Sequence, residues 1–226
     1  SYAFGSLPLS QLKAVKNAHR TTLNDVVLGI CAEALRRYLT EKGELPSRPL
    51  IAGVPMSTRS DSQQGQAGNQ VIFLRTSLHT DEVDPLVRLQ KISREMAVIK
   101  DRTRALPANL MGDWTRLPAP ALMAQAARLY ENFGIQDYHA PTFNVVISNV
   151  PGPQVPLYLA GMQVVANHPV SIPFHGLGFN ITLMSYQNKL DFGLTADRDA
   201  LPDVSHFGDL LLQSLQTLRE RSATQS

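Results

Sequence analysis

The chain has 226 residues, 43% of them hydrophobic and 18% charged, with 21 basic and 19 acidic side chains for a net charge of +2. That hydrophobic content excludes disorder as a whole-chain description, and the near-balanced charge gives no electrostatic case for nucleic-acid binding. The single cysteine, Cys31, excludes an internal disulfide or a Cys-rich zinc site.

In chain order, the opening SYAFGSLPLS lacks the basic start and apolar core of a signal peptide. It also lacks an initiator Met, so translation is expected to begin upstream of Ser1. Residues 10–20 place Leu12, Val15 and His19 on one side of a helix. Thr22 reads as the N-cap of a second helix over 24–42, with Val27, Ile30, Ala34 and Tyr38 at helical spacing and Gly43 as its stop. Residues 50–56 read as a buried strand, 57–68 as a polar loop and 69–78 as an alternating strand. Asp84-Pro85 is an N-cap and first-turn pair. It opens a helix to about residue 105, striped by Leu86, Leu89, Ile92, Met96 and Ile99. Two shorter helices are predicted over 106–116 and 119–133. Strands follow over 142–149, 157–159, 162–166, 178–186 and 190–196, and Gln187-Asn188-Lys189 turns the last pair into a hairpin. A final helix over 202–221 carries Val204, Phe207, Leu211, Leu215 and Leu218 on its apolar stripe. No apolar run is long enough to read as a transmembrane helix. Hairpins mixed with helical crossovers predict an α/β (α+β) chain, a mixed β-sheet flanked by helices rather than a clean βαβ array.

Charge is unevenly spread. Residues 138–188 form a run of 51 without Asp, Glu, Lys or Arg. Six prolines break this run, so it is not a membrane span. A long uncharged region punctuated by turns reads as strands that face protein or ligand on more than one side. Phosphate-loop, HExxH and G-x-S-x-G motifs do not occur. Of the six histidines, His168 and His175 lie in a Pro-rich loop, where a hydrogen-bonded structural role is expected. Thr22 and Asp25 suit helix capping, whereas Asn24 offers both a donor and an acceptor to a neighbour. Arg59 follows a buried strand and either clamps an anion or anchors its loop. Ser148 and Asn149 end an apolar strand against the rigid Pro151-Gly152-Pro153 turn, which suits a pre-organised polar site. Either residue could donate to an oxyanion or simply satisfy its own turn. Asp191 lies in an apolar strand and needs a partner, for which a structural salt bridge to Arg198 is expected. Asn180-Ile181-Thr182 fits a glycosylation sequon, discounted because nothing implies secretion. Arg88, Lys91, Arg94, Lys100, Arg102 and Arg104 make one helix basic; a solvated face is expected, with anionic phospholipid or coenzyme A phosphates as the alternative.

Taken in order, residues 22–27 (TLNDVV), 54–59 (VPMSTR), Gly68-Asn69, Asp84-Pro85 with Arg88-Leu89, 148–153 (SNVPGP), 157–161 (LYLAG), 180–182, Ser185-Tyr186, 190–194 (LDFGL) and 197–199 (DRD) form a series. It resembles the C-terminal domain of the bacterial wax ester synthase/acyl-CoA:diacylglycerol acyltransferase (WS/DGAT) family, within the chloramphenicol-acetyltransferase-like superfamily. The resemblance covers nearly the whole chain, as one domain over residues 1–226. It implies one half of a two-domain acyltransferase fold, with the active site in a tunnel between the halves. The family's HHxxxDG motif, whose second histidine is the general base, has no counterpart here. The resemblance therefore implies that the chain alone is inactive and that its partner is an N-terminal HHxxxDG domain, linked or cleaved. Residues 138–188 would face that domain or cross over to it.

By the same resemblance Asn24, Asp25, Ser148 and Asn149 support the site, while Val150, Pro151, Gly152, Pro153 and Asn180 line the tunnel. Acyl-CoA is implied as substrate with diacylglycerol or a fatty alcohol as acceptor, and neither a cofactor nor a metal is implied. The implied location is cytoplasmic, peripheral to the inner membrane or lipid bodies. Two alternatives stay open: a catalytically silent lipid-binding or scaffolding domain, and a complete hydrolase using Ser148 with a loop histidine.

Overall fold

A computed structural model of the chain describes residues 1–57, 71–104, 142–172 and 177–224. Among these, the strands are β1 (Tyr2–Pro8), β2 (Ile51–Ser57), β3 (Val71–Ser77), β4 (Val145–Val150), β5 (Tyr158–Leu159), β6 (Met162–Gln163), β7 (Phe179–Tyr186) and β8 (Lys189–Ala196). The helices are α1 (Leu9–His19), α2 (Leu23–Lys42), α3 (Pro85–Arg104) and α4 (Val204–Thr224). Six strands form one sheet in the order β1-β8-β7-β4-β2-β3, and β5 and β6 pair apart from it. β4 runs parallel to both β2 and β7, whereas the other pairings are antiparallel, so the predicted mixed sheet is observed.

Strand alternation divides the sheet into two faces. Ala52, Val54, Leu74, Val145, Ile147, Phe179, Ile181, Leu183, Leu190, Phe192 and Leu194 all point into a single core with the four helices. The predicted apolar stripes of α2 and α4 are buried there, as are Leu86, Leu89, Ile92 and Met96 of α3. α2 is buried without a break from Asp25 to Leu35, because α1, α3 and α4 flank it and β4 packs against it. Its thiol, Cys31, is fully buried, and that burial pushes its pKa up to about 12.

One strand has no counterpart in the sequence reading, and one expectation needs correction. The amino-terminal segment, to which the sequence reading assigns no element, is an edge strand, pairing in register with β8 from Tyr2↔Thr195 to Pro8↔Lys189. Gly5 and Pro8 masked its strand signal, and an edge position tolerates both. Arg88 does not belong to a solvated basic face. Its side chain is wholly buried, and its guanidinium donates to Glu33 at 2.5 Å and to the Glu82 carbonyl at 2.6 and 3.1 Å. Glu33 takes a second charge-assisted bond from Arg37 at 2.7 Å. Lys91 is engaged as well, by Glu82 at 2.8 Å. The predicted helices over 106–116 and 119–133, together with Arg59, Gly68-Asn69, His139 and His175, lie outside the described residues.

At the carboxyl end of α2, the Tyr38 hydroxyl donates to Asp203 at the start of α4, and Lys42 reaches the same carboxylate at 2.8 Å. At the other end His19, which closes α1 just before α2, meets Ser222 near the end of α4 at 2.8 Å. α2 and α4 therefore run antiparallel.

Two outcomes are expected. Cys31 should resist a thiol reagent in the folded protein and react at the rate of global unfolding, as a stopped time course in increasing urea would show. Asp203 is held down to about 2 by the Lys42 ammonium and then by the Tyr38 hydroxyl. Its contribution is present above the unfolded carboxylate value of about 3.9 and is lost as pH falls toward 2. Asp203→Asn should therefore flatten the acid limb of a plot of thermal midpoint against pH.

Candidate functional site

The candidate site is the end of the unit where β4 emerges. β7 is parallel to β4 and β8 antiparallel to both, so α4 starts, after β8, at the amino end of β4 and finishes at its carboxyl end. Because α2 is antiparallel to α4, its amino terminus stands at that same end. The topology thus brings Asn24 and Asp25 to the end of the unit that carries Ser148 and Asn149.

Their local roles differ. Thr22 and Asp25 form a reciprocal capping box, with Thr22 N–H donating to Asp25 Oδ2 at 2.9 Å and Asp25 N–H donating to Thr22 Oγ1 at 3.2 Å. The same carboxylate oxygen accepts from Ser93 of α3 at 3.0 Å, and Asp25 is only 2% exposed. Asp25 therefore ties α2 to α3, as the capping reading expects. Asn24 is half-buried beside it.

Ser148 lies opposite Thr182 on the sheet face away from the helices, while Asn149, paired with Leu183, points the other way. Both are half-buried. The turn that follows is pinned down. Gly152 N–H donates to Ser185 Oγ at 3.1 Å, and Gln154 Nε2 donates to that hydroxyl and to the Gly152 carbonyl. A Cβ at Gly152 would collide with the Ser185 carbonyl oxygen, so glycine is needed there. Val150 and Pro151 are exposed, and Gly152 and Pro153 half-buried, so this turn forms part of the accessible end.

Asn180 sits deeper. It is 3% exposed and accepts from Thr182 Oγ1 at 2.8 Å, while Thr182 meets Ser171 Oγ at 2.7 Å. Its side chain is packed into the sheet face beneath the chain, and that burial also removes it as a glycosylation acceptor.

The uncharged region splits into two parts. An arm over residues 155–163 carries the β5–β6 hairpin, and a strap over 164–172 returns across β7, β8 and β1. The predicted strands here shrink to two residues each. The strap instead binds the sheet through side chains, a pattern that strand propensity does not reveal. Nine of the sixteen exposed large apolar residues among those described fall between Val150 and Ile172, including Tyr158 at 66%, Leu159 at 73% and Met162 at 70%.

The expected Asp191–Arg198 ion pair is not formed. Asp191 is fully buried, and its two oxygens accept from Ser6 Oγ and from Asn167 N–H, each at 2.6 Å. Arg198 is exposed in the turn beyond β8. The expectation failed because both true partners are distant in sequence, one on an unrecognised strand and one a backbone amide. His168 packs its ring on Phe4 at 4.7 Å, and among the described residues no histidine hydrogen-bonds Ser148, so a Ser148 hydrolase finds no base there. No group of His, Cys, Asp and Glu among those residues could hold a metal ion.

Among the described residues, a six-stranded mixed sheet with four helices packed on one face, a polar strand end and an uncharged apolar arm on the opposite face defines an α/β domain. A family profile described as "WS/DGAT C-terminal domain" matches residues 67–219, and the chain belongs to that family. It is 36% identical to O-acyltransferase WSD of Acinetobacter baylyi, across 95% of this chain and 45% of the relative. It is 34% identical to a putative diacylglycerol O-acyltransferase of Mycobacterium tuberculosis, across 99% and 44%. The solved wax ester synthase/diacylglycerol acyltransferase from Marinobacter aquaeolei VT8 superposes with a TM-score of 0.77 at 38% identity, covering 98% of this chain and 49% of that one. An epimerization domain of tyrocidine synthetase B shares the fold alone, with a TM-score of 0.55 at 12% identity over 98% of this chain and 48% of its own. The chain spans about half the length of the relatives it matches.

The two halves of the Asn24-Asp25 pair should separate on substitution. Asp25→Ala, which removes the capping box and the Ser93 contact, should lower unfolding free energy by about 1–2 kcal/mol. Asn24→Ala should change it by about 0.5 kcal/mol or less. Equal losses in urea titrations would place both residues in the fold alone.

Proposed function

We propose that this chain is the carboxyl-terminal lobe of an acyl-CoA-dependent O-acyltransferase that makes triacylglycerol or wax esters. The acyl donor is acyl-CoA and the acceptor is diacylglycerol or a long-chain alcohol. The observation that carries the reading is family membership along a chain half as long as its relatives, joined to an uncharged arm exposed on the face away from α1–α4. Apolar residues at 60–80% exposure in one segment mark a surface meant to be covered.

In this reading the HHxxxDG histidine belongs to the other lobe. It takes the proton of the acceptor hydroxyl as the oxygen attacks the thioester carbonyl carbon. Collapse of the tetrahedral intermediate breaks the C–S bond, and the departing thiolate regains that proton. In the same reading Ser148 and Asn149, at the strand end, offer hydrogen bonds to groups passing between the lobes. Val150 and the Pro151-Gly152-Pro153 turn supply stiff tunnel wall, and Asn180 fixes the sheet face beneath. Among the described residues no helix is long and apolar enough to cross a membrane, which is compatible with peripheral attachment to the inner membrane or lipid bodies.

Thioester cleavage with radiolabelled acyl-CoA and diacylglycerol tests the reading. The 226-residue chain alone should give no product, and activity should appear when a lobe carrying HHxxxDG is joined to it or added to it. Turnover by the chain alone, or no turnover in any pairing, would refute it.

A further inference from the structure

Polar side chains root the arm and strap on the sheet, and two of these anchors are costly to bury. The Tyr186 hydroxyl, on a residue 1% exposed, accepts from Leu157 N–H at 2.9 Å and donates to the Val164 carbonyl at 2.9 Å. Leu157 and Val164 are the two legs of the arm where it leaves the sheet, and they also bond each other at 2.9 Å. One phenol thus closes the neck. Just beyond it, the Asp191 carboxylate joins Ser6 of β1 to Asn167 of the strap, and among the described residues no cation pairs with it. A fully buried carboxylate served only by neutral donors is expensive compared with an apolar side chain of the same size. What it provides is geometry: one carboxylate fixes the strap to the edge strand. The neighbouring Gly193 completes the seat, since the Pro169 carbonyl oxygen occupies the space a Cβ would need.

We propose that Tyr186 and Asp191 are positioning residues that set the angle of the arm before a second lobe arrives, so that its apolar face meets that lobe already formed. This rests on the reading above that a second lobe covers the arm. Pre-organisation of this kind strengthens association by removing the ordering cost from the docking step. The partner it fits is an apolar protein surface, because Tyr158, Leu159 and Met162 present no charge.

Hydrogen exchange read by mass spectrometry on this chain tests the anchoring directly. Tyr186→Phe keeps the ring and removes the two phenol bonds while leaving the Leu157–Val164 backbone bond, and Asp191→Asn keeps the shape and replaces one of the two accepting oxygens by an amide donor. Exchange should accelerate about tenfold at Leu157 and Asn167, the scale of one or two lost net hydrogen bonds, while Ile181 and Phe192 in the central sheet stay unchanged. Ser6→Ala, a milder change that releases only the β1 side, keeps the test open if Asp191→Asn does not fold. Unchanged arm amides, or an increase shared equally by the central sheet, overturn the proposal. The same variants are then titrated with a lobe carrying HHxxxDG. Binding about tenfold weaker for Tyr186→Phe, a change of about 1.4 kcal/mol, supports a positioning role, and equal binding overturns it. If that lobe does not bind even the unaltered chain, the functional reading fails while the exchange result still decides the anchoring.

Discussion

Everything in this lobe follows from the different neighbours of the two faces of β7 and β8. Ile181, Leu183, Phe192 and Leu194 point into the helical layer, and Asn180, Thr182, Asp191 and Gly193 point to the strap. Successive residues on one strand therefore meet opposite demands. The helical face needs volume and dryness. The other face needs hydrogen-bonding groups that can hold irregular backbone, because strap amides and carbonyls buried without partners would each be costly. A one-residue slip in the β7–β8 register would exchange the two sets and leave both faces unsatisfied.

That division explains which features were readable beforehand. The stripes of α2, α3 and α4 and the β7–β8 hairpin are local patterns, set by spacing within a few residues, and they appear where the periodicity places them. β1 was not readable, because Gly5 and Pro8 argue against a strand unless an edge is available, and edges are set by the whole fold. Asp191 shows the same limit for a side chain. Its need for a partner was evident from the apolar strand around it. Its partners, 185 and 24 residues away, follow only from the path of the chain. Arg88 was misplaced for a related reason: basic neighbours along α3 suggested a wet surface, while Glu33 on another helix made burial affordable.

At the candidate site the residues quoted for family resemblance divide into those that build and those that border. Thr22 and Asp25 cap α2 and lean on α3, and Arg88 anchors the start of α3 to α2. Asn24, Ser148, Asn149 and the Pro151-Gly152-Pro153 turn lie at the end shared by the α2 amino terminus and the β4 carboxyl terminus. The start of α2 is closed by its own capping box, so what the border presents at this end is the side chains of Asn24, Ser148 and Asn149. The builders must be rigid for the borders to be placed, so the family pattern mixes both kinds without marking which is which.

Lack of charge in residues 138–188 has two physical causes in one stretch. β7 is uncharged because both its faces are covered, one by helices and one by the strap, and β4 is buried from Val145 to Ile147. The arm is uncharged although it is exposed, so its composition cannot be a response to burial within this lobe. The strap between them is held by hydroxyl and carboxylate groups drawn from β1, β7 and β8. An apolar hairpin on a flexible tether would collapse onto its own sheet or associate without selectivity. Here the neck is closed by Tyr186 and the strap behind it is fixed by the buried Asp191 side chain, so the apolar hairpin is tied down at its root while its faces stay exposed.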